Sequence, residues 1–171
     1  PTAQGGLFPG TVDVDGVERF DLKYPDEAHN AETLMVDPVN GDIYIVVKSG
    51  DGESPIFRAA APLDPDNDIV MEYVLTLTFG EGALPGDTET TAGDISRDGS
   101  LIAIRTYDHA FMWRRIPGAT IAEALQTEPC PVPLKDEGQG EALGFSSGGG
   151  RDYYTLGEGS MVGISFYNSP W

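Results

Sequence analysis

The chain has 171 residues, with 10 Lys or Arg against 28 Asp or Glu, and a formal net charge of −18. This length suits one domain with a proper core. The negative charge repels nucleic acid and anionic membrane surfaces, so neither is an expected partner, and no apolar segment is long enough to be inserted in a membrane. The acidity fits an extracellular or salt-tolerant protein kept soluble by charge, or one that binds calcium through carboxylates.

The first predicted strand, Val17 to Tyr24, stands alone before any repeat begins. Its apolar and charged residues alternate as in a half-exposed strand near a sheet edge. Pro25 and Asp26 then end it. We therefore expect this strand to lack a partner within the repeats that follow.

A longer pattern then occurs three times, at Asn30 to Lys48, Thr90 to Tyr107 and Gln139 to Leu156. In each copy a polar residue and a small one lead into an apolar run, a tight turn and a second apolar run. The turn PVNG aligns with RDG and with SGGG, and Asn40-Gly41 suits a tight hairpin. Recurrence at roughly 50 to 60 residues, with several short strands per copy, indicates a propeller-like array.

The copies predict an all-β fold of three four-stranded antiparallel blades, approximately at residues 30–80, 90–135 and 139–167. In the second copy, Thr120 and Glu123 have the spacing of a capping box and predict a short helix before the fourth strand. That strand is predicted at Val132 to Lys135. The third copy ends before a fourth strand.

Three blades are too few for a ring, since propellers have four or more. We therefore expect residues 1–171 to form a single half-domain of a six-bladed ring, with the strand at residues 17–24 completing a blade elsewhere in the ring. The missing propeller half is either a separate segment or a second copy of the chain joined about a two-fold axis. The single cysteine, Cys130, cannot form a disulfide within the chain.

The chain resembles a group of secreted bacterial six-bladed β-propellers in the segments HNAETLMVDPVNGDIYIVVK, TAGDISRDGSLIAIRTYDHAFMW and QGEALGFSSGGG. This group, mostly of unknown function, is placed loosely with phytase-like and esterase-like propellers. The resemblance covers roughly Gly16 to Tyr167 and implies the C-terminal half of a secreted propeller. The family's N-terminal half has no counterpart here, which favours a fragment or separate subunit over a homodimer. Where the family usually has His-Asp-Ala-Glu, this chain has His29-Asn30-Ala31-Glu32, which removes one carboxylate.

Polar residues at the starts of the innermost strands form the candidate site. Innermost strands line a propeller channel, so equivalent positions of successive blades converge at its mouth. The predicted polar ring consists of His29, Asn30, Glu32, Thr91, Asp94, Gln139 and Glu141. Oxygen ligands of this kind suit Ca²⁺, with Glu32, Asp94 and Glu141 as candidate ligands. Alternatively, the ring hydrogen-bonds neighbouring blades and holds them in register, or it serves catalysis.

We expect an extracellular binding or scaffold module whose channel mouth recognises a protein or small-molecule ligand and holds calcium. Two alternatives stay open: a calcium-dependent phosphoesterase or esterase of the phytase-like kind, and a subunit of an extracellular assembly or filament. Catalysis has less support, because the chain has only two His residues and no Gly-x-Ser-x-Gly motif. Nor does the spacing of Lys48, Arg105 and Lys135 bring these cations together to hold a phosphate group.

Overall fold

The structure is a computed structural model that describes residues 16–80, 84–147 and 151–169. Within these ranges the fold is all-β, with one short helix. Three antiparallel sheets and one two-stranded parallel pair account for the strands, and none of the sheets closes on itself. None of the described residues belongs to a helix with the length and hydropathy needed to cross a membrane.

The first sheet has the strand order β2-β3-β4-β6. Its strands are β2 (Ala31–Val36), β3 (Ile43–Val47), β4 (Glu53–Ala59) and β6 (Glu72–Thr78). Side chains of β2 alternate between buried and exposed, because only one face of this strand packs against the second sheet. The turn after β2 contains Gly41 with a φ of 85°, a conformation that favours glycine.

The second sheet has the order β10-β9-β8-β7. Its strands are β7 (Thr90–Ile95), β8 (Leu101–Thr106), β9 (Ala110–Arg114) and β10 (Cys130–Val132). Every residue of β8 is buried, since this sheet lies between the other two. The predicted fourth strand is displaced toward the N-terminus from Val132 to Lys135, because Cys130 pairs with Met112 and Val132 with Ala110.

The predicted helix is confirmed as α1 (Ile121–Leu125), between β9 and β10. Thr120 accepts a hydrogen bond from the backbone N–H of Glu123, and the Glu123 carboxylate accepts one from the backbone N–H of Thr120. This reciprocal capping box satisfies two amides that the first turn of a helix leaves unpaired.

The third sheet has three strands among the described residues, β11 (Gly140–Phe145), β12 (Tyr153–Gly157) and β13 (Ser165–Tyr167). The last strand, β13, begins only after Met161, whose left-handed φ of 67° a strand does not tolerate. The three sheets otherwise fall within the three segments that the repeat predicts.

The segment Val17 to Tyr24 contributes a strand of two residues, β1 (Leu22–Lys23), which pairs in parallel with β5 (Ile69–Val70). Leu22 and Tyr24 also pack against the outer face of the first sheet. The expectation that this segment lacks a partner within the chain is therefore wrong, because β5 supplies one. Its completion of a blade elsewhere in a ring stays a prediction.

Two apolar layers hold the three sheets in a stack. The layer between the first and second sheets contains Met35, Tyr44, Val46, Ile56, Leu77, Phe79, Ile95, Ile102, Ile104, Phe111, Trp113 and the buried residues of α1. The layer between the second and third contains Ala92, Leu101, Ala103, Ala110, Met112, Val132, Leu143 and Tyr153. Strand β7 consequently lies between β2 and β11, so that the first strands of the three sheets are neighbours.

Candidate functional site

Four polar side chains from all three sheets meet at one end of the stack. Glu32 and Glu141 are the second residues of β2 and β11, whereas Lys48 and Tyr107 directly follow β3 and β8. An antiparallel hairpin places the end of its second strand beside the start of its first. The stack therefore brings these residues together, and we call Glu32, Lys48, Tyr107 and Glu141 the polar cluster.

Lys48 lies at the centre of the polar cluster. Its Nζ donates to the two Glu32 carboxylate oxygens at 3.0 and 2.9 Å and to the Tyr107 hydroxyl at 2.5 Å. The ammonium also lies 4.6 Å from the centroid of the Tyr107 ring, within the range of a cation–π contact. Only 9% of the Lys48 side chain is exposed.

Burial lowers the pKa of Lys48, but the hydrogen bonds to Tyr107 and Glu32 outweigh burial and raise the pKa above its ordinary value. Lys48 therefore carries a positive charge at neutral pH. The cluster thus holds a desolvated ammonium that links the first sheet to the second through Tyr107.

Glu141 has a different environment from Glu32. Burial raises the pKa of Glu141, and the negative charge of Glu32 raises it further, whereas Lys48 and the Tyr107 hydroxyl oppose the rise. Glu141 forms no ion pair with any described residue, in contrast to the Glu32–Lys48 pair. The Glu141 carboxyl thus has a hydrogen bond from the Tyr107 hydroxyl but no ion pair among the described residues, and it can accept a further hydrogen bond or a cation from a ligand.

Thr91 and Asp94 connect the second sheet to the third. Thr91 Oγ1 donates to the Gly140 carbonyl at 2.6 Å, and Asp94 Oδ2 accepts from the Phe145 N–H at 2.7 Å. On the other side, Thr90 Oγ1 donates to the Val47 carbonyl of the first sheet at 3.0 Å. These contacts agree with the alternative interpretation in which polar residues at the strand entries hold neighbouring sheets in register.

The other three residues of the predicted ring do not join the polar cluster. The His29 ring lies 3.0 Å from Asp26 Oδ1 and packs edge-on against Tyr24, on the outer side of the first sheet. Asn30 and Gln139 have exposed side chains, and their backbone carbonyls accept bonds from the N–H groups of Lys48 and Glu158. The polar cluster therefore includes only Glu32 and Glu141 of the seven predicted residues.

Lys48 and Tyr107 were not in the predicted ring. The sequence signal that could have found them is their equivalent place, directly after the second strand of a copy. Local pattern shows where a strand ends, but not which sheet packs opposite that end. Tertiary packing is what joins Lys48 of the first sheet to Tyr107 of the second.

A buried arginine lies next to the polar cluster and has a structural role. The Arg105 side chain is fully buried, and its Nη1 lies 2.8 Å from Glu137 Oε2. The other acceptors of its guanidinium are the backbone carbonyls of Thr106, Tyr107 and Ala142. The space for this guanidinium exists because residue 140 is glycine: a Cβ there would lie 1.6 Å from Nη2. Arg105 thereby ties the second sheet to the third.

The calcium prediction can be compared with the donors at this end of the stack. No group of three His, Cys, Asp or Glu side chains within the described ranges is arranged to hold a metal ion. Glu32 holds Lys48, and both Asp94 oxygens accept backbone N–H groups. A calcium ion would have to displace the Lys48 ammonium, so the residues present do not fit calcium as they are arranged.

No protein-family model matches the sequence. A search of curated proteins likewise found no match. The propeller resemblance therefore stays a prediction.

Proposed function

We propose that the chain is an extracellular binding or scaffold module built as three blades of a β-propeller, with the polar cluster as its recognition site at the channel mouth. Each sheet begins with one of the strands β2, β7 and β11, and β7 contacts both of the others. Propeller blades are antiparallel sheets arranged in this way around a channel. The order of the strands in the first two sheets agrees with a four-stranded blade.

The outer faces of the two end sheets support completion of the ring by further blades. On the first sheet, Leu34 and Val36 are 58% and 47% exposed; on the third, Tyr154 and Phe166 are 44% and 50% exposed. Apolar side chains that share one face of a sheet normally lie under another layer. A second half of the ring, from another polypeptide or a second copy of this chain, would supply that layer.

The observation that carries the binding proposal is Glu141, whose carboxyl is hydrogen-bonded by the Tyr107 hydroxyl but has no ion-pair partner among the described residues. A ligand that presents a guanidinium, an ammonium or another strong hydrogen-bond donor would satisfy this carboxyl. We therefore propose that the module recognises a cationic side chain of a protein or a cationic small molecule.

The ring is tested by the mass of the purified native particle, measured by light scattering together with intact mass spectrometry. A single species at twice 18.3 kDa would indicate two copies of the chain, and a second polypeptide would indicate a split propeller. A larger assembly of this chain would favour the alternative of an assembly subunit. A particle that stays at 18.3 kDa at all concentrations would overturn the ring proposal.

The recognition site is tested by NMR titration of the same particle with N-acetylarginine amide, which carries one guanidinium. We expect saturable shifts at Glu32, Tyr107 and Glu141 that disappear in Glu141→Gln. The matched control is Glu128→Gln, which removes an exposed carboxylate outside the polar cluster. Equal binding by wild type and Glu141→Gln would show that the polar cluster does not recognise cations. The calcium-dependent phosphoesterase alternative remains a prediction.

A further inference from the structure

A cavity lies at the end of the stack opposite the polar cluster, beside the turns that follow β2 and β7. Its volume is about 530 Å³. The lining comes from Val39 in the turn after β2, from residues 98–100 in the turn after β7, from the end of β9 and the loop after it (residues 114–120), and from Arg151 before β12. All three sheets therefore contribute to one cavity, as they do to the polar cluster.

Positive charge is concentrated around this cavity although the chain as a whole is strongly negative. Three of the 10 Lys and Arg residues, Arg114, Arg115 and Arg151, line it. Arg115 is already neutralised, because its Nη1 lies 2.9 Å from both oxygens of buried Asp37 and its Nε donates to a backbone carbonyl. Arg114 is exposed and has no carboxylate partner among the described residues. These contacts leave Arg114 as the arginine of the cavity that has no counter-charge among the described residues.

Asp98 sets how much negative charge the cavity can accept. It accepts hydrogen bonds from the hydroxyls of Ser100 and Ser96 and from the Ser100 N–H, which lower the pKa of Asp98 to about 2. Its carboxylate lies 4.0 Å from the Arg151 guanidinium. Arg114 and Arg151 therefore outweigh Asp98 by one positive charge. A ligand with a single negative charge balances the cavity, whereas a phosphate dianion adds a charge that Asp98 repels.

The remaining wall is mostly apolar and consists of Val39, Ile116, Pro117 and Ala119, with two glycines and Thr120. Ile116 is 65% exposed and offers a contact surface for a hydrophobic group. We propose that this cavity binds a small organic carboxylate, with the carboxylate at Arg114 and its apolar group against Ile116 and Pro117. A guanidinium pairs with a planar carboxylate through two parallel N–H donors, which gives both strength and orientation.

The test is a ¹⁵N NMR titration of the full chain with benzoate, with neutral benzamide as the matched probe and phenyl phosphate as the dianion. We expect saturable shifts from benzoate at residues 98–100, 114–119 and 151, and at least tenfold weaker binding of benzamide and of phenyl phosphate. Arg114→Gln should weaken benzoate binding about tenfold, since it removes a charge-assisted hydrogen bond. Arg19→Gln removes an exposed arginine whose one ion-pair partner within the described ranges is Asp21, and it should leave binding unchanged.

Several results would overturn the proposal. They are shifts that do not saturate with benzoate, equal binding of benzamide, tighter binding of phenyl phosphate, or unchanged benzoate affinity in Arg114→Gln. The spectrum of each variant away from the cavity reports whether it is folded. If Arg114→Gln is not folded, Arg151→Gln takes its place, because it removes the excess positive charge of the cavity and leaves Asp98 without its cation, so benzoate affinity should fall as well.

Discussion

Replacing Gly140 with alanine tests whether Arg105 locks the second sheet to the third. A Cβ at position 140 would lie 1.6 Å from Arg105 Nη2 and 2.4 Å from Cζ. Real Cβ atoms do not approach other atoms so closely, so the guanidinium must move. The backbone of Gly140 lies outside the left-handed region, and the substitution therefore acts through this contact rather than through backbone strain.

The expected cost follows from the contacts that Arg105 would lose. Its guanidinium donates to Glu137 and to three backbone carbonyls, and no part of the side chain is exposed to replace them with water. Separating a buried ion pair costs about 3–5 kcal/mol, because it leaves charges buried without a partner. At about 2–4 °C per kcal/mol for a chain of this length, the melting temperature should fall by roughly 6–20 °C.

Urea denaturation and thermal unfolding measure this effect. Gly163→Ala is the matched control, since a Cβ there meets nothing within 4 Å, and it should change the free energy of unfolding by less than about 1 kcal/mol. In an Arg105→Met background the Gly140→Ala cost should shrink to about 1 kcal/mol or less, because the guanidinium is gone. If Gly140→Ala lowers the unfolding free energy of the wild-type chain by less than about 1 kcal/mol, Arg105 does not hold the second sheet to the third. An equal cost in both backgrounds would show that Arg105 is not its cause.

Three other predictions concern the charged groups. Glu32→Gln should lower the pKa of Glu141 and Lys48→Met should raise it, because Glu32 destabilises and Lys48 stabilises the charged form of Glu141. A ¹³C carboxyl titration of Glu141 measures both pKa changes, and changes in the opposite directions would contradict the geometry of the polar cluster. The pKa of Asp98 is about 2 in the folded chain, below its unfolded value near 3.8, so its stabilising contribution is present above about pH 4 and lost as the pH falls toward 2. Asp98→Asn should reduce the loss of unfolding free energy between pH 5 and pH 2.5, measured by urea denaturation at both pH values. An equal loss in wild type and Asp98→Asn would show that Asp98 is not responsible. EDTA should leave the melting temperature unchanged, and a fall that added calcium reverses would show that calcium stabilises the fold.

The strands were predictable where local chemistry decides the structure. Alternating apolar residues and the Asn40-Gly41 turn define the hairpin of β2 and β3, and the pair Thr120 and Glu123 defines α1. The position of β10 was not predictable in the same way. It is an edge strand next to several prolines, and the residues that pair are chosen by contact with β9 rather than by their own pattern.

The candidate site was predictable only in its repeated part. Alignment of the copies identified Glu32 and Glu141 as residues that converge, because equivalent positions of stacked sheets lie on the same side. His29 lies before the start of β2, outside the strand, so the alternation of the strand does not decide which face of the sheet its ring contacts. The structure places it against Tyr24 and Phe57 instead, where apolar and aromatic contacts are available.

Two adjacent threonines at the start of β7 have a consequence for how the protein opens. Thr90 holds the first sheet and Thr91 holds the third, because neighbouring side chains of a strand point to opposite faces. A slip of β7 by one residue would send each hydroxyl to the wrong neighbour and break both bonds at once. Neither interface can loosen by sliding alone. Amide hydrogens of β3 and β11 should therefore exchange with solvent in one cooperative event, with a common opening free energy, rather than sheet by sheet.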